Sequence, residues 1–273
     1  MGFFGKIFEK KECAICGGEI GLLGNRKLED GNMCKECANK LSPWFDDRRN
    51  STVDQIKEQL DYREANKAEV AAFQTTRVFG ESTKIYMDED ARKFMVTSAK
   101  TPNDIQKANP DVIEFSAVTG CNLDINEHRR EITRTDKDGK AVSYNPPRYE
   151  YQYDFYVEIQ VRNPYFDDIK FKINADSVDI ESQAPQRMAS TGAGRFISGA
   201  AGSINPEISV EYRQYKQMGE EIKATLLQVR QESRDAAAAA AAPKAAVTCP
   251  YCGATTTPDE SGRCEYCGGA VND

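Results

Sequence analysis

The sequence predicts an α+β chain of several domains, on three observations. Eight of its nine cysteines fall into four CxxC pairs, two pairs near each end. The middle of the chain alternates apolar and polar residues with the two-residue period of a strand, most clearly over Tyr149–Val161. Residues 207–234 then switch to helical spacing, with Ile208, Tyr212, Tyr215, Ile222, Leu226 and Val229 marking one face.

The chain has 273 residues, 40% hydrophobic and 29% charged, enough for a core beneath a well-solvated surface. No apolar run is long enough to cross a membrane. The first residues are too soon charged for a secretory signal, and Lys6 stands where a myristoylation motif wants Ser or Thr. A cytoplasmic location is therefore expected. Net charge is −7, and neither end carries an excess of Lys and Arg large enough to make a basic face. Nucleic-acid binding is disfavoured on that ground.

The first module, residues 1–48, carries Cys13, Cys16, Cys34 and Cys37. Two cysteines three positions apart on a tight turn aim both sulfurs at one point, and a second such pair completes a tetrahedron. Asp30-Gly31 marks a hairpin turn between the pairs. The second pair, Cys34-Lys35-Glu36-Cys37, reads as the first turn of a helix. Together these predict a treble-clef-like zinc finger. Leu41, Trp44 and Phe45 are expected to cover it, because so small a module cannot bury a core of its own. Ahead of it, Phe3, Phe4, Ile7 and Phe8 lie on one helical face of a stub expected to pack on its own domain.

A linker helix is expected within residues 49–67, spanning 51–66, with Ser51 and Asp54 as a capping box. Residues 68–175 read as antiparallel β, with strands at Lys84–Met87, Lys93–Thr97, Val112–Val118, Leu123–Glu131 and Ile169–Ile173 and a hairpin turn at Asp138-Gly139. Residues 176–206 read as a Gly/Ala/Ser-rich loop; its stretch 191–199 lacks the spacing of a phosphate-binding loop. An amphipathic helix over 207–235 and an Ala-rich tether over 236–248 lead to a zinc ribbon at 249–273. There Cys249, Cys252, Cys264 and Cys267 form the second set of four.

Two structural zinc ions per chain follow from these spacings. Disulfides are disfavoured without an export signal. A redox pair would need a single CxxC opening a helix in a βαβ unit. A site closed by four cysteines leaves no ligand position for water, so chemistry at the metal is not expected. The chain's one histidine, His128, sits in a polar strand-like stretch and reads as an exposed strand residue. Cys121, the unpaired cysteine, reads as a small buried hydrophobe.

The first 45 residues resemble a bacterial zinc-finger family of unknown function, on Cys13-Ala14-Ile15-Cys16-Gly17, the run Gly21–Gly31, Cys34-Lys35-Glu36-Cys37 and Leu41-Ser42-Pro43-Trp44-Phe45. That resemblance implies metal binding by the same four cysteines. The middle resembles the pleckstrin-homology-like barrels joined to such fingers, on Lys84–Asp88, Phe94–Val96 and Val112–Val118 followed by one long helix. It implies a closed antiparallel barrel serving as a binding scaffold. The second cysteine set resembles generic zinc ribbons. The combined expectation is a non-enzymatic adaptor with a protein partner. The alternatives are a nucleic-acid-binding zinc-ribbon protein and a sensor that releases zinc when its thiolates are oxidised. A lipid or membrane surface stays open as a ligand, with no residue pattern in the sequence that supports it.

Overall fold

The computed structural model describes residues 11–21, 23–181, 204–241, 246–258 and 261–271. Most of the expected N-terminal stub and all of the 191–199 stretch lie outside them. The chain divides into two compact units, one ending at Arg230 and one beginning at Gln231.

The first unit opens with two small hairpins. Strand β1 (Lys11–Glu12) pairs antiparallel with β2 (Glu19–Ile20), and β3 (Arg26–Lys27) with β4 (Asn32–Met33). The turn at Asp30-Gly31 is closed by the Leu28 N–H donating to the Gly31 carbonyl at 2.9 Å. Helix α1 (Lys35–Ala38) follows, and Ile20, Leu28, Met33 and Leu41 pack with Ile56 of the next helix. Phe45 joins this cluster as expected, but Trp44 does not: its ring packs against the larger core beyond.

Helix α2 spans Val53–Ala72, longer than the sequence implied. Its capping box lies one residue later than expected. Thr52 accepts from the Gln55 N–H at 3.3 Å, and the Gln55 side chain accepts from the Thr52 N–H at 2.8 Å. Ser51 is buried instead, its hydroxyl donating to the Asp47 carbonyl at 2.9 Å.

Two antiparallel sheets follow. One holds β5 (Arg77–Gly80), β6 (Lys84–Asp88), β7 (Lys93–Thr97) and β8 (Ile113–Glu114) in sequence order, with helix α3 (Pro102–Ala108) between β7 and β8. The other is built on β10 (Ala141–Val161), which pairs along one edge with β9 (Val118–Thr135). Its other edge is shared by β11 (Asp168–Lys172) and β12 (Val178–Glu181). Odd-numbered residues of β10 from Tyr151 to Val161 face inward and are buried. Where β11 gives way to β12, the buried Asn174 side chain substitutes for a strand. It accepts from the Phe155 N–H at 2.9 Å and donates to the Tyr153 carbonyl at 3.2 Å.

The expected barrel does not form. None of the sheets of the described residues closes on itself. The physical reason sits at residues 113–118: β8 has only two residues, and a 3₁₀ turn at Phe115–Ala117 interrupts the ladder before β9 begins. A further difference is β12, which extends the sheet into the stretch read as loop.

Both sheets share one core, covered by helix α4 (Val210–Ala241). Tyr212, Ile222 and Leu226 of α4 are buried in it, and between Tyr215 and Ile222 the face is continued by Met218, whose sulfur accepts from the Gly80 N–H at 3.3 Å. Ile208 is not part of that face; it is exposed, in a 3₁₀ turn ahead of the helix. The helix also runs on through the alanines read as a tether, as their high helix propensity allows.

A polar seam joins the finger, α2 and the first sheet. Arg63 of α2 donates from Nε to the Lys40 carbonyl at 3.2 Å, from Nη1 to Asp111 at 2.7 Å and from Nη2 to the Asn109 carbonyl. Ser42 donates to the other Asp111 oxygen at 2.7 Å. Asn66 donates to Asn109 Oδ1 and the Pro110 carbonyl, and accepts from the Val112 N–H.

Candidate metal centres

Each of the two cysteine sets is brought together. In both, the four sulfurs lie within 4.8 Å of one another, so each set could hold a metal ion.

At the first, the turn Cys13–Gly18 is fixed by two backbone bonds. The Gly17 N–H donates to the Cys13 carbonyl and the Cys13 N–H to the Gly18 carbonyl, both at 2.8 Å. Closing the turn needs a positive φ at Gly17, where the angle is 71°. The Ala14 N–H donates to the Asn32 carbonyl at 2.8 Å, which ties the knuckle to β4. The second pair is built differently. Cys34 is the N-cap of α1, its sulfur accepting from the Cys37 N–H at 3.4 Å, while its own N–H donates to Cys13 Sγ at 3.2 Å. A helix start supplies inward-pointing N–H groups and a favourable dipole for thiolates.

The second centre is built from two equivalent knuckles. The Gly253 N–H donates to the Cys249 carbonyl at 2.9 Å, and the Gly268 N–H to the Cys264 carbonyl at 2.8 Å. The Cys249 and Cys264 N–H groups donate to the Ala254 and Gly269 carbonyls, both at 2.9 Å. Strands β13 (Val247–Thr248) and β14 (Thr255–Thr256) pair beside the first knuckle, and the buried Thr256 hydroxyl accepts from the Glu265 N–H at 3.4 Å. Three of the four knuckles in the chain thus share one hydrogen-bond pattern.

The sulfur spacing fits a tetrahedral soft cation. Cys16 and Cys34 sulfurs are 3.9 Å apart, Cys249 and Cys267 3.5 Å, and Cys252 and Cys264 3.8 Å. A tetrahedron with zinc–sulfur bonds of about 2.3 Å has edges of about 3.8 Å. A disulfide would need about 2.05 Å. Four thiolates and no oxygen donor suit zinc and not calcium or magnesium.

The thiols titrate apart from one another. At Cys13 burial opposes ionisation, but the N–H groups of Cys34, Cys16 and Ile15 outweigh it and bring the thiol down to about 6. Cys37 is pushed well up, first by burial and then by the neighbouring sulfurs. At the other centre Cys249 falls to about 7, where burial is outweighed by the Cys252 and Tyr251 N–H groups. Cys267 rises to about 12: the Gly269 N–H favours its thiolate, but the Cys249 and Cys252 sulfurs prevail. So many thiolates in one place need a cation to compensate their charge, and a bound dication would supply it.

The two residues set aside from metal binding lie elsewhere. Cys121 is buried in the large core, and burial pushes its thiol up to about 12. His128 is exposed on β9, opposite Gln152. The donors that aim at the sulfurs are legible in the sequence only through the glycine after the second cysteine of three pairs and the helix start at Cys34.

No curated protein and no solved structure was found to match the chain. Residues 11–59, the first centre together with the opening turns of α2, match the model of a domain of unknown function, DUF4428.

Proposed function

We propose that this chain is a zinc-held, non-enzymatic adaptor that presents surfaces of its sheets and small modules to a protein partner. The observation that carries the reading is the closure of both centres by four cysteines, which leaves a bound metal no position for a substrate or water. The metal then serves to hold segments too small to fold alone. The burial of Cys121 and its raised thiol support the same reading, because a protonated thiol inside a core is not a nucleophile. Co-purification of the zinc-loaded chain from native lysate should recover a stoichiometric protein. Repeated recovery of the chain alone would count against an adaptor.

A further inference from the structure

Strand β10 carries oppositely charged surfaces at its two ends. Beyond Glu150, where pairing to β12 stops, β9 and β10 continue together as a two-stranded arm to the turn at Gly139. Residues 128–149 hold six Lys and Arg against three Asp and Glu, in a chain of net charge −7. Sequence order hides the grouping, and antiparallel pairing creates it. Arg148 lies 4.5 Å and Arg134 6.0 Å from the centre of the Tyr144 ring, so two exposed guanidinium groups flank one aromatic.

At the far end of β10 lies an open groove of about 780 Å³ between the finger–α2 segment and the β10–β11 turn. Trp44 and Tyr165 are among its aromatic lining, and Asp46, Asp47, Glu58, Asp167 and Asp168 give it negative charge. Among the described residues Lys170 is the one cation lining it, and it is engaged by Asp124 at 2.9 Å and Glu158 at 3.6 Å. Guanidinium groups bind carboxylates through paired N–H donors and stack on aromatic faces, so the groove offers what the arm's arginines bind best.

The two surfaces cannot meet within one chain. Arg148 and Val161 are separated by roughly 45 Å of extended strand at about 3.4 Å per residue. We propose that the basic arm of one copy docks into the acidic aromatic groove of a second copy, giving head-to-tail self-association. Such a contact joins different surfaces of the two partners, so it propagates from copy to copy into rings or open chains. This inference is independent of the adaptor reading, since it needs no other protein.

The test is sedimentation velocity on the full, zinc-loaded chain over a concentration series, at about 0.05 M and about 0.5 M salt. Wild type should associate at the lower salt and weaken by about tenfold or more at the higher. The pair Arg134→Glu with Arg148→Glu, and separately the pair Asp167→Lys with Asp168→Lys, should each abolish association. A mixture of these two variants should associate again, because each arm then finds a groove of opposite charge, and the chain carrying all four changes should likewise regain self-association. A wild type that stays monomeric at low salt overturns the proposal. So does association that survives either charge reversal, or that is not regained on swapping both. Labelled duplex DNA is titrated in parallel; tight, arm-dependent DNA binding by a monomeric wild type would assign the arm to nucleic acid and overturn it as well.

Discussion

The Arg63 guanidinium meets the Asp111 carboxylate at 2.7 Å, and 6% and 0% of their side-chain surfaces reach water. The pair fastens α2 to the loop that precedes β8, and Arg63 also holds the Lys40 carbonyl at the end of the finger. Breaking one partner of a buried pair leaves a stranded charge, at a cost of about 3–5 kcal/mol. Arg63→Met should therefore lower stability in urea by that order. Combining it with Asp111→Leu should recover part of the loss, because the stranded carboxylate is then gone. A double variant no more stable than the single would show that the lost carbonyl contacts, not the charge, dominate.

The two centres should load one zinc each. Elemental analysis of the purified chain should give two zinc per chain. Cys267→Ser should remove one and leave the unit ending at Arg230 with its thermal transition unchanged. Cys34→Ser should remove the other and lower that transition, because the finger packs on Ile56 of α2 and is pinned by Arg63. Equal effects of the two substitutions on the transition would contradict the division into two units.

Asp154 links stability to pH. Burial opposes its charge, but Lys172 at 2.6 Å and the Ser177 hydroxyl at 2.8 Å prevail and hold the carboxyl below its usual range. A carboxylate with a lower pKa folded than unfolded stabilises the protein above its unfolded pKa of about 3.9. That contribution is lost as pH falls through the folded value. Asp154→Asn should cost about 0.5–1 kcal/mol at neutral pH, a figure reduced for solvent screening at this partly open position. The gap between variant and wild type should close below about pH 4. Urea titrations at neutral and acid pH measure it, and a gap independent of pH would reject the linkage.

Gly219 of α4 lies directly against Leu123 of β9. A methyl group there would collide with Leu123 Cδ1. Alanine gains about 1 kcal/mol in helix propensity, whereas forcing an extra carbon into a packed core costs about 1–3 kcal/mol. The second effect should win, so Gly219→Ala should destabilise by up to about 2 kcal/mol net. Leu123→Val should relieve the added strain. A stabilised Gly219→Ala would mean that Leu123 moves aside without cost.

What could be read from the sequence was what repeats locally. The cysteine knuckles announced themselves by spacing, β7 by a short apolar run and the inward face of β10 by alternation. Helix α3 was missed because none of its residues is buried, so no apolar period exists. Its signals are all in the cap: Thr101 accepting from the Asp104 N–H, Pro102 in the first turn and the left-handed Asn109 at its end. Strand β5 was missed because it is a short edge with Val78 exposed. Arg63 and Asp111, 48 residues apart, and Asn174 standing in for a strand, depend on tertiary placement that no local pattern encodes.

Trp44 is the only tryptophan in the chain. Its half-buried ring packs against the core of the sheets while its neighbours Leu41 and Phe45 stay with the finger. The molecule therefore carries a built-in optical reporter at the joint between them. Unravelling of the knuckles alone would leave the emission colour of that indole unchanged, whereas detachment of the finger from the sheets would shift it to the red.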